Sequence, residues 1–471
     1  MKTISAKQAS RMLRYLASAV TLIVSGGCGE RSYMQSGRPS SMVIASASES
    51  HSNNAITKAK DQDKCVPRLP QEICPGTTVD TGGLCDAATG INSCLNAENT
   101  TLALPPGRYL IKSTININYD GITLSTRGLS DDVTTCLKNS TSKPCAVLLA
   151  ADEFGEQAKP DNSFERTMLR IGTNRKPVNR ITIDHIALDG AKDARRKNIN
   201  ITKNCGSKGG GRNLMEAGGS DNKLLHSASV NALCGTAVGW AVAKTGNGSI
   251  IRNNFIANNG IGYPDNTIWS DGLTIGKVSN STITGNLFQD STDVDVVIGG
   301  ATNTTFSDNI IYHQNLNAFA GFMLTNWSLR NSPQTAEWAD FRGLVVSNNI
   351  FRCNRHVQIC VQIGIFPWFY PETHWANWST MGGTFLNNKI FTQNQGINVG
   401  GGGTMNFPVI LDGNEISKTG SGTTEIGAGS NRTSRRVGKL NVFGPRVQNF
   451  IEYRNGQGAD VDQADPWHSI F

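Results

Sequence analysis

The chain has 471 residues, 17% of them charged and 38% hydrophobic, with 50 Gly, 11 Cys and a formal net charge of +7. That length can bury a large core, as one elongated domain or as several ordinary ones. No apolar run reaches the ~18 residues that span a bilayer, so a membrane-spanning helix is excluded.

In chain order, residues 1–28 come first, with Lys2, Lys7, Arg11 and Arg14, no acid, the apolar run LASAVTLIV, and SGGC ending at Cys28. A basic start, a short apolar run and small residues make a secretory signal. VSGGC resembles the lipobox of bacterial lipoproteins, which implies lipidation at Cys28 and a bacterial protein held at the outer membrane. Simple cleavage would instead release it outside the cell. Loss of this segment removes four of the seven net positive charges, so no nucleic-acid partner is expected. Residues 29–63 are polar, with eight Ser from Ser32 to Ser52, and read as a flexible tether. Residues 64–471 read as one domain.

Setting Cys28 aside leaves ten cysteines, an even number that points to disulfides made in an oxidising compartment. Eight fall in close pairs, Cys65/Cys74, Cys85/Cys94, Cys136/Cys145 and Cys353/Cys360, leaving Cys205/Cys234 as the fifth. No CxxC with a matching His pair suggests zinc.

After the tether, TGGLCDAATGINSCLNAENTTLALPPGRYLIKSTININYDGITLS passes from a short helical pattern through a Pro-Gly turn into alternating strands. The rest carries a recurring phrase, an Asn followed by two residues, usually apolar, that are expected to end a strand: Asn254, Asn286, Asn309, Asn349, Asn388 and Asn414, at spacings of 32, 23, 40, 39 and 26. HSASVNALCG around Ala228 and IDHIALDG near His185 extend the series backwards. A unit of this size with period-two alternation is a solenoid signal. Its Asn residues are expected to stack as an internal ladder. The opening LALPPGRYLIKSTININYDGITLS and the N-x-T/S-I/F-x-x-N turns resemble the pectate-lyase-like superfamily over residues 80 to 440. The resemblance implies an all-β, right-handed parallel β-helix, here with a short N-terminal capping helix. A β-sandwich, the rival architecture, would turn every 8 to 12 residues without a coil-length repeat.

Two adjacent coils carry insertions at nearly the same offset, giving long loops at 325–343 and 366–383. They hold Trp327, Trp338, Trp368, Tyr370, Trp375 and Trp378, with Arg342 among their polar partners. Trp and Tyr on loops suit the apolar faces of sugar rings, and Arg342 suits a carboxylate or sulfate on a polymer. The plainer alternatives are packing of the rings onto the helix wall and a solvated arginine.

Aligning LTIG (Leu273 to Gly276) on VVIG (Val296 to Gly299) sets Ser270-Asp271-Gly272 over Asp293-Val294-Asp295. Asp271, Asp293 and Asp295 are therefore expected at the entry to one ledge. Asp290 and His313, each four residues after their coil's Asn, should stack. Crowded acids share protons, hold a cation, or act as acid and base on a glycosidic bond. They also cap β-helix turns. The ledge resembles that of polygalacturonase-type glycoside hydrolases, with motifs N-T-D-G, D-D, G-H-G and R-I-K: Asp271 and Asp293 match, Val294 falls on the second Asp of the pair, Ala320 falls on the His, and R-I-K is missing. The expected function is an exported polysaccharide-acting enzyme that cleaves glycosidic bonds, hydrolysis being favoured over β-elimination. A lyase would need a cation or an arginine to neutralise a uronate, and calcium fits there with Asp290, Asp293 and Asp295 as ligands and His313 or an arginine as base. The alternative is a non-catalytic carbohydrate-binding or surface-adhesion solenoid. The sequence sets neither a metal nor the oligomeric state.

Overall fold

The computed structural model describes residues 65–130, 136–137, 144–156, 167–172, 176–202, 205, 214–262, 268–324, 340–364, 382–400, 409–419, 425–427, 451–454 and 460–461. All lie in the compact unit Lys64–Phe471. Cys28, the tether and the loop aromatics Trp327, Trp338, Trp368, Tyr370, Trp375 and Trp378 fall outside them.

The domain opens with an antiparallel hairpin, Pro70–Cys74 with Thr77–Asp80. The helix Ala88–Cys94 packs beside it and buries Ala88, Ile91 and Cys94. Asp86 Oδ1 accepts the Ala88 amide at 3.1 Å, satisfying a donor at the helix start, and the Lys112 amide at 3.0 Å. The helix lies against the first coil and caps the open end of the stack, as the sequence pattern predicts.

Five disulfides are present, and two differ from nearest-neighbour pairing: Cys65 joins Cys85 and Cys74 joins Cys94, each across 20 residues. The extended segment leading through Pro70–Cys74 carries Cys65 away from Cys74, and the helix separates Cys85 from Cys94, whereas a disulfide needs Cα atoms about 4.4–6.8 Å apart. Hairpin-to-strand and hairpin-to-helix pairing meets that need, at 5.7 and 6.0 Å. Cys136–Cys145, Cys205–Cys234 and Cys353–Cys360 pair as expected. Cleavage after Arg68 and before Asp80 and Asp86 separates the four N-terminal cysteines. Unreduced peptide mapping should return Cys65 linked to Cys85 and Cys74 linked to Cys94, and a Cys65–Cys74 species would contradict this geometry.

Beyond the cap the chain is a right-handed parallel β-helix. Among the described residues its strands form three parallel sheets of 11, 11 and 12 strands, each coil adding about one strand to each sheet. Inward residues of successive coils stack in register, as in Ile251, Ile283, Phe306, Val346, Phe385 and Leu411. All six are buried in one continuous core. Phe322 meets Phe306, Phe351 and Phe385 with ring centroids 5.1–6.0 Å apart. Each buried ring is worth about 1.5–3 kcal/mol relative to exposure.

The Asn ladder forms as expected. Asn254, Asn286, Asn309, Asn349 and Asn388 each donate from Nδ2 to Oδ1 of the next member at 2.9–3.1 Å. Each Nδ2 also donates to a carbonyl of the preceding coil, as Asn309 does to Ile283 at 3.0 Å. Left-handed residues precede the ladder at the same corner: Asn253, Gly285, Asp308, Asn348, Asn387 and Gly413. Gly, Asn and Asp tolerate that conformation best, and this explains the spelling of the repeated phrase.

Candidate functional site

The acidic residues gather on the 12-stranded sheet, whose strands contain a step that decides where each side chain points. In the coil Ala318–Leu324, Ala320 and Met323 belong to an apolar cluster separate from the coil interior, whereas Phe322 and Leu324 belong to the core. Between them, a Cβ on Gly321 would meet Cys353 Sγ and Ile311 Cγ2, both inside the coil. Residues 320 to 324 therefore run out, in, in, out, in. The register carries this pattern across the sheet: Leu273 pairs with Val296, Val296 with Phe322, and Val294 with Ala320.

By that pattern Asp271 projects outward, in register with Val294, and Asp295 projects inward, opposite Gly321. The aligned phrases thus have the register expected from sequence, but the three acids do not share one ledge. The doubled inward step, which simple alternation does not contain, sends Asp295 into the coil. There it meets His313, whose Nδ1 lies 3.0 Å from Asp295 Oδ2, and Asp295 Oδ1 accepts the Ser291 amide at 2.8 Å. Asp290 and His313 do stack, with Nε2 3.9 Å from Asp290 Oδ1. Asp290 also accepts the Gln314 and Asn315 amides at 2.7 and 2.9 Å, closing a turn. Burial works against the imidazolium, but the Asp295 and Asp290 carboxylates outweigh it and raise the His313 pKa. Burial raises the Asp295 pKa, opposed by His313 and the Ser291 amide. Asp293 lies just before its strand, 5% exposed. Its carbonyl accepts the Phe319 and Ala320 amides at 2.8 and 3.2 Å.

Asp271 is 5% exposed. Its Oδ2 accepts the Thr274 hydroxyl at 2.8 Å, and the Thr274 hydroxyl lies 3.1 Å from that of Thr236 on the preceding coil. Desolvation pushes its pKa up to about 7 against the pull of Thr274 and the Val294 amide, with the Asp295 carboxylate adding to the rise. A carboxyl of this kind holds a proton near neutrality and can give it up, which is what a general acid must do.

Two charged side chains that the repeated phrase did not reveal share this outer face. Met215 and Ala217 are core residues, as are Leu169 and Ile171, so Glu216 and Arg170 between them point outward. They are direct register partners, and Glu216 pairs in turn with Gly239, which pairs with Thr274. Burial raises the Glu216 pKa and Arg170 opposes it. The signal was legible: LRIG and MEAG repeat the form of LTIG and VVIG. Toward the C-terminus the same outer rows become apolar, with Val294, Val297, Ala320, Met323 and Ile359. Arg342 sits elsewhere, its carbonyl accepting the Asn303 amide at a corner of the coil and its guanidinium gripping Asp340 at 2.7 and 3.0 Å.

No family model matches this sequence, and no curated protein matches it. Among solved structures, the chain is similar to a mannuronan C-5 epimerase A-module of Azotobacter vinelandii, at 12% identity and a TM-score of 0.45, covering 83% of this chain and 97% of that one. It is also similar to DFA-IIIase from Arthrobacter chlorophenolicus A6, at 11% identity and 0.43, covering 81% and 94%. A third is the endo-xylogalacturonan hydrolase from Aspergillus tubingensis, at 13% identity and 0.35, covering 81% and 91%.

Proposed function

We propose that this chain is an exported, carbohydrate-active β-helix enzyme that cleaves glycosidic bonds by hydrolysis at the outer face of the 12-stranded sheet, with Asp271 as general acid. The supporting observation is an outward, almost fully buried carboxyl with a pKa of about 7. It shares its face with a second carboxylate, Glu216, which is set beside Arg170. Glu216 lies two strands from Thr274, about 10 Å at the usual strand spacing, and Thr274 holds the Asp271 carboxyl. From that backbone spacing the side chains can set the carboxyl groups roughly 6.5–9.5 Å apart, the separation that leaves room for a water between acid and base in inverting glycosidases. Arg170 suits an anionic sugar ring. Five disulfides fit an oxidising compartment. Lipidation at Cys28, a polysaccharide stacked on the loop aromatics, and calcium should the reaction be β-elimination belong to this proposal.

One observation favours a non-catalytic binding or adhesion role. Val294 and Ala320 occupy Asp271's own row on the next two coils, where the polygalacturonase-type pattern has an Asp and a His. Mature protein, with Asp271→Ala as control, should be offered pectic, alginate and neutral polysaccharides, scoring reducing and unsaturated ends separately. Hydrolysis predicts reducing ends alone, lost in the variant, with activity declining above pH 7 as Asp271 ionises. Unsaturated ends would make it a lyase, and binding without new ends would support adhesion.

A further inference from the structure

Of the seven His in the chain, two occupy one corner of the solenoid on consecutive coils. His185 and His226 stand in register, since Ala187 pairs with Ala228 and each His lies two residues before its alanine. Both have left-handed backbones, φ 52° and 46°, at the position that the next coils fill with Asn253, Gly285 and Asp308. Their rings stack with centroids 4.8 Å apart. Both Nδ1 atoms lie 2.8 Å from the same oxygen, Asp184 Oδ1. Both imidazoles are almost fully buried, while a quarter of the Asp184 side chain remains exposed.

We propose that Asp184, His185 and His226 form a binding site for a divalent first-row transition ion, with zinc as the natural occupant. Two imidazoles and one carboxylate are the donor set of open zinc sites, in which water completes the shell. Adjacent ligands held about 2.1 Å from one tetrahedral ion lie roughly 3.4 Å apart, so the two His–Asp edges, 2.8 Å here, would open slightly around it. The three ligand atoms already lie within 4.8 Å of one another, and the part-exposed Asp184 gives an ion a route in from solvent. Because the two His come from successive coils, the ion would clip one coil to the next at the corner where the Asn ladder has not yet begun. Ser227 stands there in the place of the first Asn, its Oγ accepting the Ile186 amide at 3.1 Å. The Cys136 amide donates to the His226 carbonyl at 3.1 Å, so the clip would also bear on the Cys136–Cys145 loop.

The test is equilibrium binding of Co2+ and Zn2+ to the full chain, its native disulfides intact and Cys28 alkylated so that no free thiol competes. His226→Asn is the informative variant, because Asn fills the equivalent left-handed position in the next coil and should preserve the backbone. Asp184→Asn provides a second variant at the edge of the site. Wild type is expected to take up one Co2+ per chain with a visible ligand-field band, and Zn2+ should displace it and raise the melting temperature. Either variant should lose at least tenfold in affinity and most of that melting shift. A wild type with no saturable one-to-one binding overturns the proposal. So does a site whose affinity and spectrum are unchanged in both variants, since the ion would then be held elsewhere.

Discussion

Asp271→Asn should make the protein more stable at pH 8 while removing its cleavage activity. The sign follows from the proton. The folded chain holds Asp271 at a pKa of about 7, against 3.8 for the ordinary group. Below pH 4 both folded and unfolded chains carry the proton and the residue makes no difference. Between about pH 4 and 7 only the folded chain keeps it, so stability falls as pH rises through that window. Above pH 7 the folded state holds a buried carboxylate, at a cost on the order of 4 kcal/mol. Asn accepts the Thr274 hydroxyl without that charge and should abolish the difference. Melting temperatures of the two proteins should coincide near pH 4 and separate by pH 8, with the variant higher. The rise in the Glu216 pKa acts in the same direction and is common to both proteins, whereas Asp295 repels Asp271 and responds to its loss, so the comparison reads Asp271 together with that repulsion. Loss of the general acid should reduce turnover by a factor on the order of 10² to 10⁴. A variant that is inactive yet no more stable at pH 8 would mean that Asp271 ionises without penalty, and the general-acid assignment would go.

The same residue shows how far the sequence could be read. Coil length, the Asn ladder and the register of Asp271 over Val294 were all legible, because a solenoid repeats its local rule and each coil tests the last. The direction of Asp295 was not. Period two predicts that residues 293 and 295 share a face, and the doubled inward step, seen among the described residues at Ala237–Val238, Gly321–Phe322 and Cys360–Val361, breaks that rule at 294–296. Small residues along the inner row, Ala237, Gly272 and Gly321, hint at the step, and Asp295 stands among them because His313 is there to meet it. Glu216 and Arg170 escaped notice for a different reason. Their coils lack the Asn phrase, and only the strand phrase, with Gly at its end, continues back to them. The disulfides near the N-terminus depend on the hairpin that precedes the first coil, where no repeat exists to set the spacing.

Asn309→Ala should be among the most destabilising single changes in the domain. Asn309 Oδ1 accepts both the backbone amide and Nδ2 of Asn286, each at 2.9 Å. Its Nδ2 donates to the Ile283 carbonyl at 3.0 Å and to Asn349 Oδ1 at 3.1 Å. Truncation leaves at least two of these buried groups without partners and a small cavity between coils. At about 1–3 kcal/mol for each of two stranded groups, the expected loss is roughly 2–6 kcal/mol. Asn309→Ser should lose less. Ser227, at the ladder's start, shows that a hydroxyl in this position can accept an amide from the preceding coil, although it donates to the Leu225 carbonyl of its own coil rather than to the next member. Asn280→Gly provides the surface control. Asn280 also has a left-handed backbone, φ 48°, and its exposed side chain reaches Asn247 at 2.8 Å, so Gly there should cost no more than about 0.5 kcal/mol. Urea midpoints should fall in the order Asn280→Gly, Asn309→Ser, Asn309→Ala. If Ala and the surface control proved equal, the ladder would be a consequence of the stacked coils rather than one of the interactions that hold them in register.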